Sequence, residues 1–207
     1  GELVPGQMFS LREIAARLGV SITPVRDAVN LLHQQGFLEK GPRRSCRIAG
    51  ITPERVRGYW VVRRALLAES AREAATKITD QELAELERLA ARVDALIDME
   101  HYEDAGPLET RFHARIALIA GLPFLAHEIE RLDQYDIIIH GAIPPAKVHQ
   151  HAALIEALVT RDPGVADQAM REHVNAGLEH TLATLAARGM SDTIDQETDS
   201  TGRHTGT

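Results

Sequence analysis

Cysteine, aromatic rings and long apolar runs are all scarce in this chain of 207 residues. The single cysteine, Cys46, excludes an intrachain disulfide and fits a reducing compartment. Aromatics make up 4% of residues against an apolar total of 44%, so a core built from Leu, Ala, Ile and Val is expected. No apolar run approaches the roughly 20 residues of a membrane span, and no signal-peptide pattern opens the sequence. A cytoplasmic protein without a membrane partner is therefore expected. Methionine is absent from position 1, and an upstream segment is expected for that reason. Positive charge is also short, with 23 Lys and Arg against 30 Asp and Glu and a net charge of −7. Taken alone, that balance argues against a polyanionic partner.

The distribution of charge reverses that argument. Residues 1–50 carry seven Lys and Arg against four Asp and Glu, a net of +3, which leaves −10 for the remainder. A small basic module joined to a larger acidic one suits a DNA reader attached to a sensing domain. Within the basic part, residues 10–30 read SLREIAARLGVSITPVRDAVN. Leu11, Ile14, Ala15 and Leu18 repeat at helical spacing, and Gly19 suits a left-handed helix end with Val20 packing the turn. Thr23-Pro24 reads as an N-cap followed by proline at the first helical position. Val25, Ala28, Val29 and Leu32 continue a second apolar stripe. Arg26 falls in the first turn, where the helix dipole disfavours a cation unless an anion such as DNA phosphate lies opposite. Two short helices around a tight turn are a helix-turn-helix pattern, and gene regulation is the leading reading.

Downstream, Gln35 to Glu39 reads as a helix end entering a short strand. Gly41-Pro42 marks a turn, with Arg43 and Arg44 at its tip and a return strand through Cys46 and Ile48. Such a hairpin would form a wing whose arginines reach backbone or minor groove; the plainer reading is a solvated tip. Thr52-Pro53 then opens a helical region. Helices are predicted over 53–76, 79–100, 102–120, 123–140, 146–160 and 162–188, the second opened by a capping box from Thr79 to Glu82. Mainly α architecture follows: a winged helix-turn-helix over 1–50 and an antiparallel bundle of about six helices over 51–190. The polar tail, 191–207, is expected to be disordered.

LREIAARLGVSITPVRDAVNLLHQQGFLEK resembles the winged-helix domain of GntR-type bacterial regulators, whose pattern runs "lA..lgVSrtPVReAL..L..eGlv". GELVPG fits the segment just before it. VRRALLAESAREAA, RFHARIALIAG, HAALIEALVTRD and AMREHV resemble the ligand-binding FCD domain of the FadR branch, in that order. The VS-x-TPVR string is the specific part, and the later pieces are individually weak. The resemblance implies DNA contacts from Arg12, Ser21, Thr23 and Arg26, with Arg43 and Arg44 from the wing. Helix-start hydroxyls and amides bind phosphate well, and Arg26 suits a guanine edge or a phosphate. For Thr23 a plain N-cap is a compatible reading, and for Arg12 a solvated surface charge is the alternative. Four departures stand out. Ile22 replaces a usual Arg, Ser45 or Cys46 a usual wing Gly, and Leu67 a usual Glu, while the family's first helix should precede Gly1.

Glu109 and His113 are four apart and share a helix face, His151 opens a later helix, and His173 lies within the last one. In the FCD branch an acidic residue four before a His, followed by two further His, binds a divalent metal. The resemblance therefore implies a metal site of Glu109, His113, His151 and His173, with His149 as a rival to His151. Glu109 is one methylene longer than the usual Asp. Three imidazoles and a carboxylate suit zinc first, with nickel, manganese, iron or cobalt fitting the same donors. Ten histidines make an accidental pair unsurprising, and hydrogen-bonded core histidines are the plainer reading. Arg63 matches a family Arg and implies a bidentate contact to a small organic acid, with Arg64 as neighbour and alternative. The expected protein is a homodimeric, ligand-responsive regulator on a palindromic DNA operator, and not an enzyme. The competing reading is a metal-dependent enzyme acting on a small carboxylate at the same four residues.

Overall fold

The computed structural model describes residues 3–42, 45–144 and 151–188. Arg43, Arg44, His149, the expected helix start at Ala146 and the tail from Ser191 lie outside the described residues.

The N-terminal module is β1 (Met8–Phe9), α1 (Leu11–Leu18), α2 (Ile22–Gln34), β2 (Leu38–Lys40) and β3 (Cys46–Ile48). Ser10 caps α1 in a reciprocal box: its hydroxyl accepts the Glu13 amide at 3.2 Å, and Glu13 accepts the Ser10 amide at 2.6 Å. Gly19 ends α1 at φ 66°, as its position in the sequence predicts. The next helix starts earlier than predicted. Ser21 is its N-cap, with Thr23 and Pro24 already in the first turn. Proline is tolerated there because the first amides of a helix lack intrahelical partners, so Thr23-Pro24 did not fix the boundary. Two packing expectations also fail. Val20 is 46% exposed, and of the second apolar stripe only Val25 is buried.

The hairpin β2–β3 forms as expected, pairing Leu38 with Ile48 and Lys40 with Cys46. An unpredicted strand, β1, adds to its other side through Met8–Arg47 and Phe9–Cys46. Two residues are too few to show an alternating pattern, and the partner lies almost forty positions away.

Six helices follow: α3 (Pro53–Ala75), α4 (Asp80–Asp98), α5 (Tyr102–Ile119), α6 (Pro123–Ala142), α7 (His151–Val159) and α8 (Pro163–Ala187). Thr52, Thr79 and Asp162 cap α3, α4 and α8 through their side chains. The centre of the bundle is α3 against α8, where small buried residues (Ala68, Ala71, Ala74, Ala75) permit close approach. Gly177 does the same on α8, since a Cβ there would sit 2.5 Å from Cη2 of Trp60. Leu67, where the resembled pattern has Glu, is completely buried in this core. An ionised carboxylate at that depth would need a partner, whereas Leu contributes about 1.5–3 kcal/mol by burial. Among the described residues, no helix is long and apolar enough to cross a membrane.

Candidate functional site

Two chemistries occupy the two modules of the molecule. On the N-terminal module, Arg12 opens α1, Ser21 caps α2, and Thr23 and Arg26 follow on α2, all four exposed. The Ser21 hydroxyl makes no capping bond, so it and the first α2 amides remain available as donors. That is a ready phosphate seat, reinforced by the positive end of the helix dipole. The two described positions that flank the wing tip, Pro42 and Ser45, close a turn in which the Ser45 amide donates to the Pro42 carbonyl at 3.1 Å.

Inside the bundle, three helices bring Glu109 and His113 (α5), His151 (α7) and His173 (α8) together. One ligand-type atom from each lies within 4.8 Å of all the others. Adjacent ring centroids are 4.8 Å apart for His151 and His173, and 5.2 Å for His113 and His173. Phe112 sets its edge against His113 and His151, forming an apolar wall. His113 is fully buried, yet neither of its ring nitrogens has a hydrogen-bond partner; the same holds for Nε2 of His151 and Nδ1 of His173. Burial holds His113 down at about 4, outweighing the raising effect of Glu109. Burial and the neighbouring imidazoles push His173 well below its usual range. Burial alone would raise Glu109, but the His113 contact and the Arg63 charge leave it well below the ordinary carboxylate value. The neutral imidazoles of His113 and His173 and the Glu109 carboxylate thus gather with His151. A lone pair from each of three imidazoles left without a hydrogen-bond partner in one core is expensive unless a cation accepts it, so the residues fit a divalent metal.

Two residues absent from the sequence reading complete this centre. Asp94 on α4 lies 2.6 Å from Nδ1 of His151, which fixes the ring so that Nε2 faces the cluster. Asp133 on α6 pairs with Arg63 inside the bundle. No spacing rule links position 94 to 151 or 63 to 133; only helix packing joins them. Arg63 itself is 2% exposed, donates to the Tyr59 hydroxyl at 2.8 Å and lies 3.6 Å from Glu109. The guanidinium thus stands beside the cluster, already held by acids. Its neighbour Arg64 instead donates to Asn175 on α8 at 2.9 Å.

Residues 59–176 match the sequence profile of the FCD domain, and residues 1–48 match that of bacterial regulatory proteins of the gntR family. The chain is a GntR-family regulator with an FCD domain. This GntR chain is 28% identical over 178 residues to the HTH-type transcriptional repressor RspR of Escherichia coli, spanning 83% of this chain and 78% of RspR. It is 27% identical over 206 residues to the transcriptional repressor NanR of Cronobacter sakazakii, covering 85% of this chain and 75% of NanR. The solved E. coli McbR/YncC structure matches with a TM-score of 0.70 at 23% identity, over 91% of both chains. A GntR-family regulator from Rhodococcus gives the same TM-score at 17% identity, over 88% of this chain and 90% of that one. These structural likenesses establish a shared fold. As a GntR-family protein the chain is a DNA-binding transcriptional regulator, with the FCD domain as its effector-binding part.

Proposed function

We propose that this regulator senses a small organic acid at a divalent metal held by Glu109, His113, His151 and His173, and that it acts as a homodimer on a two-fold operator. The observation that carries this reading is the set of buried, unpartnered imidazole nitrogens gathered with Glu109 within 4.8 Å. Bound there, a metal supplies open coordination positions to an oxygen donor of the acid. Zinc is the first expectation from three nitrogen donors and a carboxylate, and nickel, manganese, iron and cobalt accept the same set.

The chain's own residues do the rest. Asp94 orients His151, Phe112 keeps water from one side, and Arg63 offers a planar guanidinium to the acid's carboxylate. Asp133 already pairs with Arg63, so the acid must take over or share that partner. On the output side, Arg12, Ser21, Thr23 and Arg26, with Arg43 and Arg44 from the wing, contact the operator. Two-fold pairing of such modules doubles the half-site and fixes their spacing.

The test joins metal analysis of the purified full-length protein to gel shifts on DNA from the promoter beside its own gene. About one divalent ion per chain is expected, with a salt-sensitive shift that small carboxylates alter and no turnover of those acids. Sedimentation should give a dimer. A chain carrying no metal and unable to take up zinc overturns the metal part, and turnover of a carboxylate would favour the enzyme reading.

A further inference from the structure

The two carbonyls just beyond α2, those of Gln35 and Gly36, accept hydrogen bonds from the other domain. Helix C-termini leave such groups without intrahelical partners. Here Tyr135 on α6 donates its hydroxyl to the carbonyl of Gln35, the C-cap of α2, at 2.9 Å. Its ring stacks on Phe37 at a centroid distance of 4.7 Å. Arg55 on α3 donates to the Gly36 carbonyl at 2.7 Å and to Glu39 at 2.9 Å. Gly36 has φ 80°, and a Cβ there would fall 2.2 Å from the Tyr135 hydroxyl. The clasp therefore needs glycine at 36 for both backbone and space. A groove lined by Gln35, Phe37, Val62, Leu66 and Leu132 flanks Tyr135.

The same tyrosine is linked to the buried cluster through Tyr59 and Arg63. Its ring lies 6.1 Å from Tyr59, whose hydroxyl accepts from Arg63 at 2.8 Å. Arg63 pairs with Asp133, two residues before Tyr135 on α6, and stands 3.6 Å from Glu109. Arg63 thus bridges the two acids, Asp133 through Nη1 and Glu109 through Nη2.

We infer that Tyr135 is a positioning residue for the DNA-reading helix, and that its hold on Gln35 and Phe37 is set by how Arg63 is shared between Glu109 and Asp133. Neutralising or engaging Glu109 leaves Arg63 to Asp133, fixes that turn of α6 and tightens the clasp. A carboxylate that takes Arg63 releases Asp133 and loosens it. The inference rests on the sensor reading only for what occupies the cluster. The linkage itself is a property of these side chains.

The experiment is a double-mutant cycle on full-length, chelator-treated protein, read by amide hydrogen exchange over residues 31–40. Tyr135→Ala should speed exchange at Phe37, whose amide bonds Leu32, about three- to ten-fold. Tyr135→Phe, which keeps the stack and loses the hydroxyl, should fall between. Glu109→Gln removes the second acid on Arg63 and should slow exchange there about three-fold in the otherwise wild-type chain. It should do nothing in the Tyr135→Ala background. Equal effects of Glu109→Gln in both backgrounds overturn the proposal, as does unchanged exchange in both Tyr135 variants. Adding zinc alone to the wild-type chain should slow the same amides. A chain that takes up no zinc sinks the metal reading, while the metal-free cycle still decides the clasp.

Discussion

The winged-helix module and the helical domain place their chemistry in opposite ways. In the first, Arg12, Ser21, Thr23 and Arg26 fall within fifteen positions and are all exposed. In the second, Arg63, Glu109, His113, His151 and His173 span 111 positions and lie at least partly within the packing of four helices. The module carries net positive charge and few buried side chains, whereas the helical domain is acidic around a deep core. A surface that meets a polyanion needs donors on its outside, and its specificity can be local. A centre that holds lone pairs away from water must be assembled from distant parts, because no single helix can surround a point. Changes in the two regions should accordingly differ in kind.

The strongest way to test that contrast is to remove one half of the buried pair. Asp133→Ala removes the most deeply buried acid on Arg63 and should cost about 3–5 kcal/mol of stability, seen as a lowered urea midpoint. No exposed residue of the reading face should approach that value.

Acid should separate the two regions next. His113 stands at about 4 in the fold against an ordinary 6.5, so the unfolded chain takes the proton first. Stability is therefore complete above about 6.5 and is lost as pH falls toward 4. Glu109, also depressed, adds loss in the same direction. A metal-free sample scanned from pH 7.5 to 4.5 should lose thermal stability progressively, and a flat profile would contradict the buried neutral cluster.

Asp94→Asn keeps the shape around His151 but removes the charge that orients it. Metal affinity should fall about 10–100-fold by chelator competition, with operator binding by the metal-free chain unchanged. Arg26→Ala should do the reverse, weakening the operator complex by about 1–3 kcal/mol and leaving metal uptake intact. Ser10→Ala is the mildest change. Loss of one half of its capping box should lower stability by about 1 kcal/mol, visible as a small drop in melting temperature.

How far each region was legible follows from the same physics. The helix-turn-helix could be read because its signals are local: apolar spacing, Gly19 at a left-handed helix end, and basic residues near a helix start. Even there the α2 boundary moved to Ser21, since proline is compatible with several first-turn positions. The β1 strand was invisible because its pairing is non-local. In the helical domain, caps at Thr52 and Thr79 and the proline and glycine breaks located the helices closely. The Glu109–His113 pair was visible because both lie on α5. The joining of that pair to His151 and His173 was suggested only by resemblance to the FCD pattern, since nothing in their separation requires it.

Sequence alone determined that a basic helix-turn-helix is joined to an acidic helical bundle, because periodicity, capping and charge act over a few residues. The tertiary structure decided what the buried groups do to one another. It placed Asp94 behind His151, gave Arg63 to Asp133, and set Tyr135 on the C-cap of α2. Those contacts depend on how helices cross, and a crossing is set by the fit of whole faces rather than by any short string of residues.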